Sequence, residues 1–109
     1  MFYFERSRFE QWLGDKPIDE VIGFTVSQCQ CPLATFAKEV AGVNLSIGIM
    51  LYRDVDRFPD VDEAVANDGR EWLPLWAREF IAGVDRLGSM RETPVSAYMA
   101  RDVMRRVSV

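Results

Sequence analysis

The two thiols of this 109-residue chain, Cys29 and Cys31, stand one residue apart, and Pro32 follows them. Proline suits the first position of a helix, because its fixed φ is helical and its missing N–H is not needed there. A helix opening at Pro32 places Cys31 at the N-cap. There the helix dipole and free backbone N–H groups would lower a thiol pKa. Cys29 would then serve as a resolving thiol. The opposing reading is structural. A disulfide across one residue closes a strained ring, the usual dithiol motif has two residues between, and cysteine is a common small buried residue. Two thiolates also fall short of a tetrahedral zinc site unless carboxylates or a second chain contribute.

The chain has no histidine. That removes the base of a catalytic triad, the usual neutral-pH proton shuttle and the commonest metal ligand. Asp54, Asp56, Asp60, Asp62 and Glu63 form an acidic run, but the glycine and terminal glutamate of a calcium loop are not in place. It reads as a solvated loop. Asp19, Glu20 and Asp85 are the other carboxylates near apolar positions; acid–base work would require them to converge in a cleft. Tyr98, Arg101 and Arg105 share the less apolar side of a C-terminal helix, with Arg106 at its edge. They could touch phosphates, or simply complement the helix dipole. The net charge of −4 argues against nucleic acid, whose binders carry a basic excess.

The elements that must position these groups are legible in the periodicity. Residues 72–87 form the strongest amphipathic stretch. Pro74 opens the helix, and Trp76, Ala77, Phe80, Ile81, Gly83, Val84 and Leu87 share its apolar side. Gly88 is placed where a left-handed residue would end it. A second helix runs from Pro32 to Ala41 and stops at Gly42, with Leu33, Phe36, Ala37, Val40 and Ala41 on one face. Ser7-Arg8-Phe9-Glu10 fits a capping box before a short helix over 8–14, which carries Phe9, Trp12 and Leu13. Thr93, with Pro94 behind it, predicts the start of the last helix. Its stripe is Met99, Ala100, Val103, Met104 and Val107, and Asp102 can pair with Arg106.

Between the helices the period drops to two. Val43, Leu45, Ile47, Ile49 and Leu51 alternate with Asn44, Ser46, Gly48, Met50 and Tyr52, as in a strand with one buried face, in which Gly48 could mark a bulge or a bend dividing it. A short strand is expected within 18–28, where Phe24 and Val26 alternate with Thr25 and Ser27. Asn67-Asp68-Gly69 is a tight-turn signal, with Arg70 to Leu73 as the returning strand. These elements make one domain, residues 1–109, of α+β class: about four short helices packed on a small antiparallel sheet.

Trp12-Leu13, Val21-Ile22-Gly23, Cys31-Pro32-Leu33-Ala34, Leu73-Pro74, Trp76-Ala77 and Phe80-Ile81 together resemble a pattern in a group of small bacterial proteins, "WL…VG…CPLA…LPxWAxxF". The resemblance spans most of the chain except residues 53–69. It implies no activity, cofactor or site residue.

The residue inventory points away from an enzyme and from any cofactor. With no run long enough to span a bilayer and no signal-peptide pattern, a soluble cytoplasmic protein is expected. Its expected role is a protein-interaction module, a regulator or inhibitor of a larger partner or a self-associating unit. The alternative is a thiol-based redox or sensor protein using Cys29 and Cys31. Met50, Tyr52, Leu75 and Tyr98 fall outside the buried stripes. They are expected to form an exposed patch, with Arg101 and Arg105 beside it.

Overall fold

The computed structural model describes residues 2–57, 70–89 and 91–108. In chain order they form α1 (Arg6–Asp15), β1 (Val21–Phe24), α2 (Pro32–Ala41), β2 (Leu45–Ile47), β3 (Leu51–Asp54), β4 (Arg70–Trp72), α3 (Leu75–Leu87), β5 (Pro94–Ser96) and α4 (Ala97–Arg105). The strands make two antiparallel sheets: β1 pairs with β5, and β2, β3 and β4 lie side by side in that order. The class is α+β, with two small sheets where one was expected. The acidic positions Asp60, Asp62 and Glu63 and the Asn67-Asp68-Gly69 turn lie outside the described residues.

The apolar stripe of α3 fixes the core. Trp76, Ala77, Phe80, Ile81 and Val84 are all buried on it, whereas Leu87 reaches the surface. Phe9 of α1 joins three helices. Its ring lies 5.0 Å from Phe80, 5.6 Å from Trp76, 5.2 Å from Phe36 of α2 and 5.8 Å from Trp12. Phe80 and Phe36 meet it edge to face, an arrangement the ring quadrupoles favour, while Trp12 stacks on it and Trp76 is tilted. Gly83 lets α3 and α4 close together, since a Cβ there would come within 2.6 Å of Val103 Cγ1. Val40 and Ala41, expected on the inner face of α2, are exposed at its last turn. Gly42 ends that helix in the left-handed conformation, φ 67°.

The alternating stretch 43–52 is a hairpin, not one strand. The chain reverses after Ile47, and the Gly48 N–H donates to the Leu51 carbonyl at 2.9 Å. Ile47 then lies opposite Tyr52, and Leu45 opposite Asp54. Residues directly opposite in an antiparallel pair share a face. The reversal therefore swaps the parity: odd residues face inward on β2, and even residues on β3. Tyr52, expected at the surface, is buried at 5% exposure, while Ile49 is left in solvent at the hairpin tip. The Tyr52 hydroxyl donates to the Phe2 carbonyl at 2.8 Å and lies 3.1 Å from the Glu71 carboxylate.

Other boundaries differ from the expected ones. The helix α1 begins at Arg6, so Ser7 lies inside it and the capping box does not form. In β1 the strand ends at Phe24, and the next residues turn: Thr25 is buried, Val26 is exposed with φ 54°, the reverse of the expected alternation. Residues 94–96 are drawn into pairing with β1, so α4 starts at Ala97. Its cap is Ser96, whose hydroxyl accepts the Met99 N–H, rather than Thr93. Pro74 precedes α3 in extended geometry, and Gly88 closes it at φ −88°, not left-handed. Asp102 and Arg106 pair at 3.1 Å.

Candidate functional site

Cys31 is the N-cap of α2, and its carbonyl accepts the Thr35 N–H at 3.0 Å. Two features seat it. The Phe24 N–H donates to the Gln30 carbonyl at 2.8 Å. Gly23 also leaves no room for a Cβ, which would lie 2.6 Å from the Pro32 nitrogen. The segment before α2 is thereby pressed onto β1 and the thiol is sealed at 3% exposure. Burial pushes the thiol up to about 11; the Ala34 and Leu33 N–H groups oppose that shift, and the nearby Asp85 carboxylate adds to it. Desolvation outweighs the helix terminus here, which favours the buried structural cysteine of the two readings over the low-pKa thiol. Cys29 is exposed, and neither cysteine is in a disulfide.

Beside Cys31 opens a cleft of about 350 Å³, lined by Val26, Ser27, Gln28, Ile47, Gly48, Ile49, Ile81 and Asp85. Asp85 comes from the outer edge of the α3 stripe. Its Oδ1 accepts the Val26 N–H at 3.0 Å, which holds the left-handed turn at the cleft's lip. Asp19 and Glu20 are used elsewhere in the fold: both are exposed ahead of β1, and Glu20 pairs with Lys16 at 3.5 Å.

The expected surface patch divides. Met50 and Leu75 are exposed, and the Leu73 N–H donates to the Met50 carbonyl at 2.8 Å, so the lead into α3 runs alongside the hairpin. Trp72, at the end of the returning strand that leads into α3, is exposed as well. It is opposite Leu51 in the β3–β4 pairing, on the face turned away from Tyr52. Its ring carries the Arg78 guanidinium at 5.1 Å. The signal for it was present in the alternation of Arg70-Glu71-Trp72, once Glu71 is paired with an inward Tyr52. Tyr98 is exposed at the start of α4 beside Ile18, whose carbonyl accepts its N–H at 2.9 Å. It belongs to the two-stranded sheet's side of the topology.

Arg101 is committed to structure. Its guanidinium donates to the Leu13 carbonyl at 3.0 and 2.8 Å and to the Gly14 carbonyl at 3.1 Å, and it reaches the Lys16 carbonyl as well. These carbonyls are the open C-terminal end of α1, which a cation satisfies. Arg105 is exposed, at the rim of a shallow α1–α4 recess shared with Arg6 and Glu10. Of the acidic run, the described part closes turns: Asp54 Oδ1 accepts the Asp56 and Arg57 N–H groups, and Asp56 accepts from Asn44 Nδ2 at 2.7 Å. Among the described residues no group of three or more acidic or thiol ligands converges on a metal position. No described helix is long and apolar enough to cross a membrane.

No protein-family profile, curated protein or solved structure matches this chain.

Proposed function

We propose that this chain is a non-enzymatic protein-interaction module, a regulator or inhibitor of a larger protein, docking on the outer face of β2–β3–β4. The observation that supports the reading is Trp72. It is 63% exposed at the end of β4; Leu75, three residues on, is 59% exposed, and Met50, next to its strand partner Leu51, is 45% exposed. A single exposed apolar residue is ordinary, but three of them on segments that run side by side, one a tryptophan, have the composition of a binding hot spot. Arg53 and Arg70 share the face of Trp72, and Arg78 covers one side of its ring. In a chain of net charge −4, this local basic rim suits a partner of complementary chemistry, an apolar segment flanked by carboxylates.

A redox or sensor role for Cys29 and Cys31 draws less support. The thiolate is the reactive form, and the Cys31 thiol is sealed and pushed up to about 11.

The test is a photo-crosslinking residue placed at Leu75 in the native cell, with the same residue at Lys38 as a control. Discrete adducts specific to position 75, lost in Trp72→Ala and weakened by salt when the complex is rebuilt from pure components, support the reading. Light scattering of the pure chain separates self-association from a foreign partner. Adducts equal at both positions and indifferent to Trp72→Ala would overturn it.

A further inference from the structure

The cleft beside Cys31 takes no part in the docking face described above. We propose that it binds a primary alkylammonium group, carried by a free amine or by a lysine side chain, with Asp85 as the counter-ion.

Its walls are apolar: Val26, Ile47, Ile49 and Ile81. The polar groups of its turn are already paired. The Ser27 hydroxyl accepts the Gln30 N–H at 3.2 Å, the Gln28 carbonyl accepts the Ile47 N–H at 2.8 Å, and Gln28 Oε1 accepts from the Ser46 hydroxyl at 3.3 Å. Asp85 differs. One carboxylate oxygen accepts the Val26 N–H, and among the described residues the carboxylate has no cationic partner. No lysine or arginine lines the cleft. A carboxylate set in an apolar wall without a counter-charge attracts a cation more strongly than one in open water.

The same geometry selects the cation. A guanidinium binds best to both oxygens of a carboxylate in a fork, and the Val26 N–H already takes one of the sites on Oδ1 that such a fork would use. An ammonium needs a single acceptor and a wall for its methylene stem, and the isoleucines supply that wall. A divalent metal would need several further oxygens, which the lining does not bring together. At about 350 Å³ the cleft is at the small end of ligand sites, which start at roughly 300 Å³, so a short chain fits.

The experiment is a titration of the ¹⁵N-labelled chain at neutral pH with n-pentylamine, n-pentanol and Nα-acetyl-lysine methylamide. Saturable shifts confined to the amides of Val26–Gln28, Ile49 and Asp85 are expected with pentylamine. Pentanol should bind about tenfold more weakly or less, the loss of one charge-assisted contact. Asp85→Asn keeps an acceptor for the Val26 N–H, and it should weaken pentylamine by a similar factor. Equal shifts with the lysine derivative assign the source to a side chain; shifts with pentylamine alone assign it to a free amine. Should Asp85→Asn fail to fold, Ile49→Ser at the exposed tip carries the test, and should weaken pentylamine while leaving methylamine unaffected. Pentanol binding as well as pentylamine, an unaffected Asp85→Asn, or shifts spread over the acidic surface would overturn the proposal.

Discussion

Gly88 packs so closely on Thr25 that a Cβ at position 88 would overlap the threonine hydroxyl. That hydroxyl is fully buried, donates to the Arg91 carbonyl and accepts the Thr93 N–H at 2.9 Å. One side chain thus ties the turn after β1 to the segment after α3. Gly88→Ala is expected to cost about 1–3 kcal/mol through overpacking. Thr25→Val should cost about 1–3 kcal/mol by leaving a buried carbonyl and N–H unpaired. Denaturant unfolding measures both, and wild-type stability in Gly88→Ala would show that the segment yields without strain.

Phe80 touches no solvent and packs on Phe9 at 5.0 Å. Truncation to Ala should cost about 3–5 kcal/mol, a large share of a small domain's stability. A cost near zero in a folded protein would mean that another face of α3 is inside.

Native-state alkylation should modify Cys29 quickly and Cys31 slowly, with both equal after unfolding. The raised Cys31 pKa has a consequence for stability. The buried thiol is favoured protonated, so its contribution is complete below the unfolded value of about 8.5. It is lost as pH rises through about 11. Cys31→Ala should flatten alkaline unfolding over that range; an unchanged profile would assign the alkaline loss elsewhere.

Arg101→Ala removes the cation from the end of α1 and should cost about 1.5–3 kcal/mol, the range for charged hydrogen bonds. Arg105→Ala, on an exposed side chain, should stay within about 0.5 kcal/mol. Equal effects would mean that the two arginines act together.

Lys16 bridges to Glu39 at 2.5 Å, and Trp12 Nε1 donates to the same carboxylate at 3.1 Å. Burial raises the Glu39 pKa, but the Lys16 and Trp12 contacts outweigh it and hold the group below its ordinary value. The bond to Glu39 raises that of Lys16 against burial. For a depressed carboxylate, the stabilisation is present above the unfolded value, about 4.3, and disappears as pH falls through the folded one. Glu39→Gln should therefore cost up to about 1 kcal/mol at neutral pH and nothing in strong acid. A cost unchanged in acid would point to packing rather than charge.

The helices were legible because their signals are local. Pro32 and Gly42 delimit α2, and the 3.6-residue stripe of α3 names Trp76 and Phe80 as core before any fold is known. Such patterns depend on the chain's own geometry and survive whatever packs against them. The failures occurred where a distant strand or turn decided. Pairing of 94–96 with β1 moved the start of α4 from Thr93 to Ser96 as cap. The hairpin at 48–51 exchanged the faces of Ile49 and Tyr52, because side-chain direction along a strand has period two and a reversal can shift its phase.

The candidate sites divide the same way. Sequence alone determined that no histidine is present, that Cys31 would cap a helix, and that Asp85 borders an apolar stripe. It could not determine the sign of the Cys31 shift: the helix terminus is a local term, whereas the desolvation that outweighs it depends on Gly23 and β1 closing over the thiol. Nor could it join Trp72 to Leu51, or Asp85 to Val26. Those pairs are separated in sequence and were brought together by a strand pairing and one side-chain bond. Local chemistry chose the elements, and burial and adjacency, set by the whole chain at once, decided what each residue could do.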